Sequence, residues 1–249
     1  MKAAQDWPVF VISLTDAGER RARISEQLSA LSIPFEFVDA IDGRSGLPAE
    51  YERMIDRAGT LVQERRGMSD AEYACALSHM SVYKRILDQN LPGAIVLEDD
   101  AILGAGFAAY RGARAYEHGD LIQLDYTDAR IWRFAKAAKQ FPDFALMPIV
   151  KIGILANGYS VSLRGARHLY THGLPIRHPA DWPCDVSAIN CLISIPRIVD
   201  HPPIEVAQST LEMGRRLLLS VSYERKSSRF TKAKYWRRKW SELWTKRAP

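Results

Sequence analysis

The first forty residues restrict the fold, because they contain an apolar strand, a helix and a second strand in that order. Residues 9–14 are a short, β-branched apolar run of the kind buried on both faces of a parallel sheet. Asp16 lies three residues before Glu19, which predicts a capping-box start for the helix. Pro34 ends that helix, and residues 35–38 resume an extended strand. The pattern predicts a right-handed βαβ unit.

Later segments continue this alternation of strands and helices. Ser69 and Glu72 form an S-x-x-E capping box, which predicts a helix running to about Asn90. Further strands are predicted at residues 94–97, 121–124 and 159–163, with a helix from Gly165. The pattern indicates an α/β domain with a mostly parallel central sheet flanked by helices. In such sheets ligands bind beyond the carboxyl ends of the strands.

The 69–90 helix carries two stripes and a polar face. Its wide apolar stripe contains Tyr73, Ala76, Leu77, Met80, Tyr83 and Leu87, and a second stripe contains Glu72, Cys75, His79, Val82 and Ile86. The face predicted to meet solvent contains Ala74, Ser78, Ser81, Arg85 and Asp88. Glu72 and His79 flank an apolar edge, where a polar group should have a specific partner. The alternative is that Glu72 only caps the helix and His79 is a hydrogen-bonded core histidine.

The strand at 94–97 runs directly into Glu98, Asp99 and Asp100. Neighbouring like charges at 4 Å repel by about 1 kcal/mol even in water. A hard divalent cation such as Mg²⁺ or Mn²⁺ would offset that repulsion. Strand alternation predicts that Glu98 and Asp100 share one ion, which leaves Asp99 for a ribose hydroxyl or a structural bond. The alternative is a solvated loop whose acids cap the next turn.

Charge divides the chain into a mildly acidic body, residues 1–222, and a basic aromatic tail, residues 223–249. The formal charge is +5 for all 249 residues, whereas the tail alone carries +8. Trp236, Trp240, Leu243 and Trp244 share one helical face among the cations of residues 230–247. That combination suits the surface of an anionic membrane. There are two alternatives: the aromatic side chains dock on the domain, or the tail is a disordered basic arm. No motif indicates nucleic-acid binding.

The sequence predicts a cytoplasmic location, with the tail peripheral on the inner face of the membrane. No apolar run approaches the roughly 18 residues needed to span a bilayer. Residues 9–14 are too short for a signal-peptide core and lack a cleavage site. Three cysteines without metal-ligand spacing suit a reducing compartment.

Several of these segments together resemble glycosyltransferase family 25, the bacterial lipopolysaccharide and lipooligosaccharide galactosyltransferases with collagen-modifying relatives. The segments, spread over roughly residues 8–210, are Val11-Ile12-Ser13-Leu14 with Glu19-Arg20-Arg21, residues 37–43, Glu72-x-x-Cys75-Ala76-Leu77-Ser78-His79, residues 95–100 and residues 159–166. The resemblance implies a GT-A-like nucleotide-sugar domain, a UDP-sugar donor (often UDP-galactose) and a divalent metal, Mn²⁺ or Mg²⁺. It maps the acidic motif that grips metal and diphosphate onto Glu98, Asp99 and Asp100.

Further donor-side candidates follow. Arg20 and Arg21 would contact the diphosphate, with a surface ion pair to Glu19 or Glu26 as the alternative. Asp39, at the end of the second strand, would hold uridine or ribose, with a turn-forming role as its alternative. Glu72 and His79 join this set from the helix, and Asp125 is placed to face the donor or the acceptor.

An inverting transfer needs a carboxylate that deprotonates the acceptor hydroxyl. Residues 178–185 resemble the family's late aspartate segment. Asp181 is the candidate base or acceptor clamp, Trp182 offers an apolar face to a sugar ring, and Asp185 is the rival base. The alternative is a capped loop around two prolines.

The sequence therefore predicts a metal-dependent glycosyltransferase that moves a hexose from UDP to a saccharide, or lipid-linked saccharide, of a bacterial surface glycolipid. A rival hypothesis is a catalytically silent protein with the same fold that binds a membrane or partner through its tail. A weaker third is a metal-dependent phosphohydrolase.

Overall fold

The computed structural model describes residues 6–202 and 243–249. The strands are β1 (Val9–Ser13), β2 (Glu36–Asp39), β3 (Gly93–Glu98), β4 (Ile102–Leu103), β5 (Leu121–Gln123), β6 (Arg130–Trp132), β7 (Lys139–Gln140), β8 (Ala145–Pro148), β9 (Gly158–Ser162), β10 (Cys191–Ile195), β11 (Val199–Asp200) and β12 (Thr245–Arg247). The helices are α1 (Gly18–Ala30), α2 (Arg57–Glu64), α3 (Asp70–Asp88), α4 (Gly106–Gly112) and α5 (Leu163–Gly173), with 3₁₀ turns at Ala49–Met54 and Ala115–His118.

Eight strands form one central sheet in the order β2-β1-β3-β9-β5-β10-β8-β7. The pairs β1–β2, β1–β3 and β5–β10 are parallel. β9 runs antiparallel to both of its neighbours, and so does β8. Six of the eight strands therefore point the same way, which confirms the predicted α/β domain with a mostly parallel sheet. β4 pairs with β11 and β6 pairs with β12 in two small separate sheets.

Helices cover both faces of the sheet, and strand alternation divides the core between them. Along β1, Phe10 and Ile12 belong to the cluster under α3 and α5, whereas Val9 and Val11 belong to the cluster under α1 and α4. Burying an aliphatic side chain of this size stabilises the fold by about 1.5–3 kcal/mol. The continuous apolar run of β1 thus reflects a strand that is covered on both sides.

The two predicted capping boxes have different outcomes. At α3, Ser69 Oγ accepts from the Glu72 backbone N–H (3.2 Å) and Glu72 Oε2 accepts from the Ser69 N–H (2.9 Å), which confirms the box. The box predicted at α1 is wrong, because Ala17 is the N-cap and no side chain caps the helix. Asp16 instead pairs with Arg44 at 2.7 Å.

The predicted solvent face of α3 is wrong at two positions. Ala74 and Ser78 are both buried. Ser78 Oγ accepts a hydrogen bond from the Ile41 backbone N–H at 2.9 Å, because the loop after β2 crosses this side of the helix. Long-range packing has therefore covered small residues that a helical wheel assigns to water.

The last residues of the chain pack on the domain. β12 lies antiparallel to β6, and the buried Thr245 accepts a hydrogen bond from Arg130 Nε at 2.7 Å. Leu243 and Trp244 are exposed. The predicted boundary at residue 222, with Trp236 and Trp240, lies outside the described residues. Within residues 6–202 and 243–249, no helix combines the length and apolar character needed to cross a bilayer.

Candidate active site

A cavity of about 680 Å³, called the main cavity below, opens at the carboxyl ends of β1 and β3. Its walls are the start of α1, the loop after β2 and one side of α3, and its polar lining residues are Ser13, Asp16, Glu19, Arg20, Asp42, Arg44, Cys75, Ser78, His79, Glu98 and Asp99. This volume lies within the usual range for small-molecule sites. Its position is where open α/β sheets bind ligands, as the strand pattern predicted.

Glu98 and Asp99 line the cavity, whereas Asp100 is not among the lining residues. β3 ends at Glu98, and the next two residues form a turn, so strand alternation does not extend to Asp99 and Asp100. Asp99 accepts a hydrogen bond from Ser13 Oγ at 2.7 Å and pairs with Arg20 at 3.3 Å. Of the two roles that the sequence left open for Asp99, the structure displays the structural bond.

Negative charge is concentrated at the end of β3. Burial, together with the charges of Glu98 and Asp99, raises the pKa of Asp100 to about 7, against the opposing effect of Arg20. Crowded carboxylates of this kind are the ligands that Mg²⁺ and Mn²⁺ prefer. Glu98 and Asp100 therefore fit the predicted hard cation by the chemistry of their oxygens.

Arg20 and Arg21 are neighbours in sequence but differ in role. Arg20, in the first turn of α1, lines the cavity with about half of its side chain exposed. Arg21 is tied to the domain, since it donates to the Ser13 and Leu14 carbonyl oxygens, pairs with Asp39 at 2.5 Å and stacks on Phe37. The structure thus brings Arg20 to the cavity, and gives Arg21 and Asp39 a mutual ion pair beside the ends of β1 and β2.

The two polar candidates of α3, Glu72 and His79, lie in different surroundings. Glu72 is buried away from the cavity lining, where it caps the helix and accepts from both terminal nitrogens of Arg66 at 2.8 and 3.0 Å. His79 is buried beneath the cavity. Its Nε2 lies 3.3 Å from Glu98 Oε1, and its Nδ1 lies 2.9 Å from the Tyr159 hydroxyl. The capping alternative therefore describes Glu72, and His79 is the member that reaches the site.

Sequence reasoning missed Arg44. Its guanidinium lines the cavity and pairs with Asp16 and Asp42, each at 2.7 Å. Gly43 lets this loop approach α3, because a Cβ there would lie 2.5 Å from the Asp70 carbonyl oxygen. The turn signal Asp42-Gly43 was visible in the sequence, but the contact between Arg44 and Asp16 joins residues 28 positions apart.

Asp125 belongs to a second polar cluster, at the end of β5. It is fully buried and accepts from Asn157 Nδ2 (3.3 Å), from an Arg197 terminal nitrogen (3.4 Å) and from His201 Nδ1 (2.9 Å). Asp125, Asp200 and His201 bring possible metal-ligand atoms within 4.8 Å of one another. Asp125 does not line the main cavity.

Asp181 and Asp185 are likewise not among the residues that line the main cavity. Asp185 lines a second cavity of about 470 Å³ with His168, His172 and His178. Its carboxylate accepts from the backbone N–H and the hydroxyl of Ser187, and the backbone bond is the main cause that lowers its pKa. Near Asp181, the Trp182 indole N–H donates to the Gly153 carbonyl oxygen at 2.7 Å, which fixes this loop.

Comparisons with known proteins place the chain in a family. Residues 6–183, more than half of the chain, match the model of glycosyltransferase family 25 (LPS biosynthesis protein). The lipooligosaccharide biosynthesis protein lic2B of Haemophilus influenzae is 27% identical over 66% of this chain and 62% of its own length. The lacto-N-neotetraose biosynthesis glycosyltransferase LgtE of Neisseria meningitidis serogroup B is 39% identical over 38% of this chain and 32% of its own length.

A eukaryotic protein is also similar to the chain. Procollagen galactosyltransferase 2 of Mus musculus is 29% identical over 65% of this chain and 27% of its own length. The chain thus spans 62% or less of the length of these three relatives. The matched residues include β1, the loop after β2, α3 and the acids that follow β3. The chain belongs to glycosyltransferase family 25.

Proposed function

We propose that this chain is a glycosyltransferase that transfers a hexose from a UDP-sugar to a saccharide of a lipopolysaccharide or lipooligosaccharide. The observation that carries the proposal is the 680 Å³ cavity whose walls combine Glu98 and Asp99 with Arg20 and Arg44. Carboxylates and guanidinium groups in one cavity suit a donor that carries a diphosphate together with a divalent cation. The names of the relatives, which refer to lipooligosaccharide and lacto-N-neotetraose biosynthesis, support the proposed acceptor class.

Different residues around the cavity would contact different parts of the donor. Arg20 and Arg44 offer guanidinium groups to the diphosphate, and Arg20 is the more exposed of the two. The loop containing Ala40 and Asp42 forms the wall against which uridine would pack, beside the Arg21–Asp39 pair. Glu98 and Asp100 would hold Mn²⁺ or Mg²⁺, which stabilises the charge that develops on the leaving nucleoside diphosphate.

We propose Asp181 rather than Asp185 as the acceptor-side base. Both oxygens of Asp185 accept hydrogen bonds from Ser187, and its lowered pKa makes it a weak proton acceptor. Trp182 anchors the Asp181 loop through Gly153. With saturating donor, Asp181→Asn is expected to lower kcat at least a hundredfold, whereas Asp185→Asn leaves kcat within a few-fold.

Galactose is the proposed sugar, and the choice can be tested directly. One relative is named a procollagen galactosyltransferase. The purified chain should be incubated with Mn²⁺, extracted glycolipid and a panel of UDP-sugars, and the products analysed by mass spectrometry. A hexose mass added to the glycolipid from UDP-galactose supports the proposal. Transfer from another UDP-hexose changes the donor alone, and no transfer from any donor contradicts the function.

Two rival functions give different results in the same assay. A catalytically silent protein would neither bind UDP in calorimetry with Mn²⁺ nor consume donor. A phosphohydrolase would release UDP equally well without the acceptor glycolipid. The proposed enzyme binds UDP only with the cation, loses binding with a chelator and releases UDP faster when acceptor is present.

We also propose that the C-terminal segment holds the enzyme at an anionic membrane. Trp132, Phe134, Leu243 and Trp244 are all exposed. The β6–β12 pairing places Trp132 opposite Thr245, the residue that follows Trp244. Exposed Trp among cations suits a headgroup surface. Trp132→Ala combined with Trp244→Ala should weaken co-sedimentation with phosphatidylglycerol vesicles, whereas Val62→Ala, an exposed apolar position on α2, should not. Equal binding by all proteins would overturn this part of the proposal.

A further inference from the structure

Cys75 and His79 lie one helical turn apart on α3 and both face the main cavity. Residues at i and i+4 share a helix face, so the spacing directs a thiol and an imidazole into the same space. Glu98 reaches the same place from the end of β3. The three side chains bring a sulfur, a ring nitrogen and a carboxylate oxygen within 4.8 Å of one another.

Hydrogen bonds behind His79 favour one tautomer of its ring. The Tyr159 hydroxyl donates to Tyr83 at 3.1 Å, so its oxygen is left to accept from His79 Nδ1 at 2.9 Å. Nδ1 then carries the hydrogen in the neutral ring, and the Nε2 lone pair points at Glu98 Oε1, 3.3 Å away. Two electron-pair acceptors face each other there. A cation between them would satisfy both.

This arrangement is the one that metal-binding histidines adopt. The ring nitrogen remote from the metal usually donates to a neighbouring oxygen, which fixes the tautomer and the ring orientation. His79, Tyr159 and Tyr83 are all almost fully buried, so the orientation is held by packing as well as by hydrogen bonds. Glu98 and Cys75 are partly exposed on the cavity side, where an ion could enter.

We propose that Cys75, His79 and Glu98 form a binding site for a borderline-soft divalent cation, Zn²⁺, in the wall of the main cavity. Sulfur, nitrogen and one oxygen are ligands that zinc accepts readily, whereas Mg²⁺ and Mn²⁺ prefer oxygen. On binding, the Cys75 thiol loses its proton to solvent and a thiolate–zinc bond forms. A fourth coordination position would face the cavity and take water.

One consequence rests on the proposed function. Glu98 is shared between the zinc site and the carboxylates that would hold the donor's cation. Zinc would therefore withdraw Glu98 from the donor site and occupy part of the cavity. The expected result is inhibition by Zn²⁺ that rising Mn²⁺ relieves.

Cobalt(II) is the probe that tests the site itself, because Co²⁺ takes the same ligands as Zn²⁺ and a thiolate ligand produces a near-ultraviolet charge-transfer band. The full chain should bind one Co²⁺ with this band, and Zn²⁺ should abolish it. Cys75→Ser should lose the band, and His79→Gln should weaken Co²⁺ binding at least tenfold. Asp100→Asn should keep the band.

Cys184→Ala is the matched control, because burial raises the pKa of the Cys184 thiol to about 11 and it does not line the main cavity. This variant should keep the wild-type band. Absence of the band in the folded wild-type chain, or an equal band in Cys75→Ser, would overturn the proposal. Should Cys75→Ser fail to fold, alkylation of wild-type Cys75 by iodoacetamide decides, since Zn²⁺ should slow it at least tenfold and leave Cys184 unaffected. Unchanged alkylation would refute the site.

The two proposals fail separately. If UDP does not bind with Mn²⁺ but the cobalt band appears, the zinc site stands and the donor assignment is wrong. If UDP binds with Mn²⁺ and the cobalt band is absent, the donor assignment stands and the zinc site is wrong. Asp100→Asn and Cys75→Ser therefore form a pair in which each variant should affect one metal only.

Discussion

Two acidic clusters lie near the same edge of the sheet, and they differ in how their charge is balanced. At the end of β5, the buried Asp125 has Arg197 and His201 as partners and Asn157 as a further donor. At the end of β3, three acids follow one another, and Arg20, whose side chain is half exposed, pairs with Asp99 and opposes the raised pKa of Asp100.

The difference separates a carboxylate that builds the fold from carboxylates prepared for a ligand. A buried charge is tolerated when partners satisfy it, and removing one partner leaves the others unpaired. Crowded acids at a cavity destabilise the empty protein and bind a cation more tightly for that reason. We therefore expect the β3 cluster to bind the ligand and the β5 cluster to hold the neighbouring strands together.

The largest expected effect comes from breaking the β5 cluster. Asp125→Ala leaves Arg197 and His201 without their buried partner and should lower the free energy of unfolding by about 3 kcal/mol. For a chain of this size, the midpoint of thermal unfolding should fall by roughly 6–12 °C, measured by calorimetry. Asp200→Ala is the control, because Asp200 contacts the same two side chains but is more than half exposed, so its loss should cost less than about 1 kcal/mol. Equal losses would show that burial of Asp125 does not matter.

Asp100→Asn, in the β3 cluster, should not destabilise the protein but should weaken ligand binding. It removes one of the mutually repelling charges, so thermal stability should stay the same or rise. Binding of UDP in the presence of Mn²⁺ should weaken at least tenfold, which is about 1.4 kcal/mol, because a cation ligand is lost. Calorimetry measures both quantities on the same samples. A destabilised variant that still binds UDP would contradict the prediction, because the β3 cluster would then stabilise the fold without binding the ligand.

Five strands of the central sheet, β1, β2, β3, β5 and β9, could be predicted because their signals are local. The apolar runs of β1 and β3 and the α3 capping box each depend on a few adjacent residues. The reversed direction of β9 could not be inferred, since direction depends on pairing across the sheet, and β7, β8 and β10 of the same sheet were not predicted. The α1 cap failed for the same reason, as Asp16 bonds to the distant Arg44.

Residues of the candidate site could likewise be predicted where their signal is local, and not where it depends on distant partners. Acids that follow a strand are visible in the sequence, so Glu98 and Asp99 were found. Glu72 and His79 lie on one helical stripe, and the sequence could not separate them because their partners, Arg66 and Tyr159, come from other elements. Asp125 also follows a strand, yet it is buried by Arg197 and His201 rather than open to the cavity.

The pH dependence of the β3 cluster should be opposite to that of an ordinary paired carboxylate. The pKa of Asp100 is raised from 3.8 to about 7, so between these values the folded protein binds more protons than the unfolded chain. Without metal, the contribution of Asp100 to stability therefore falls as pH rises from about 4 to about 7. The difference in unfolding midpoint between the wild type and Asp100→Asn, measured at about pH 5 and pH 8, isolates this group. The wild type should lose relative stability at the higher pH, and Mn²⁺ should reverse the loss because it binds the deprotonated form.

The smallest expected effect concerns Ser13, which ties β1 to the β3 cluster. Ser13→Ala removes the 2.7 Å hydrogen bond to Asp99 and should cost about 1 kcal/mol in unfolding free energy, because Asp99 keeps its pair with Arg20. Ser160→Ala is the matched control, since it removes a buried bond of the same length to Tyr110 away from the acids. Both variants should lose similar stability. UDP affinity should fall a few-fold in Ser13→Ala alone, because Asp99 is then free to shift within the cavity wall, and equal UDP affinities would show that Asp99 needs no support from Ser13.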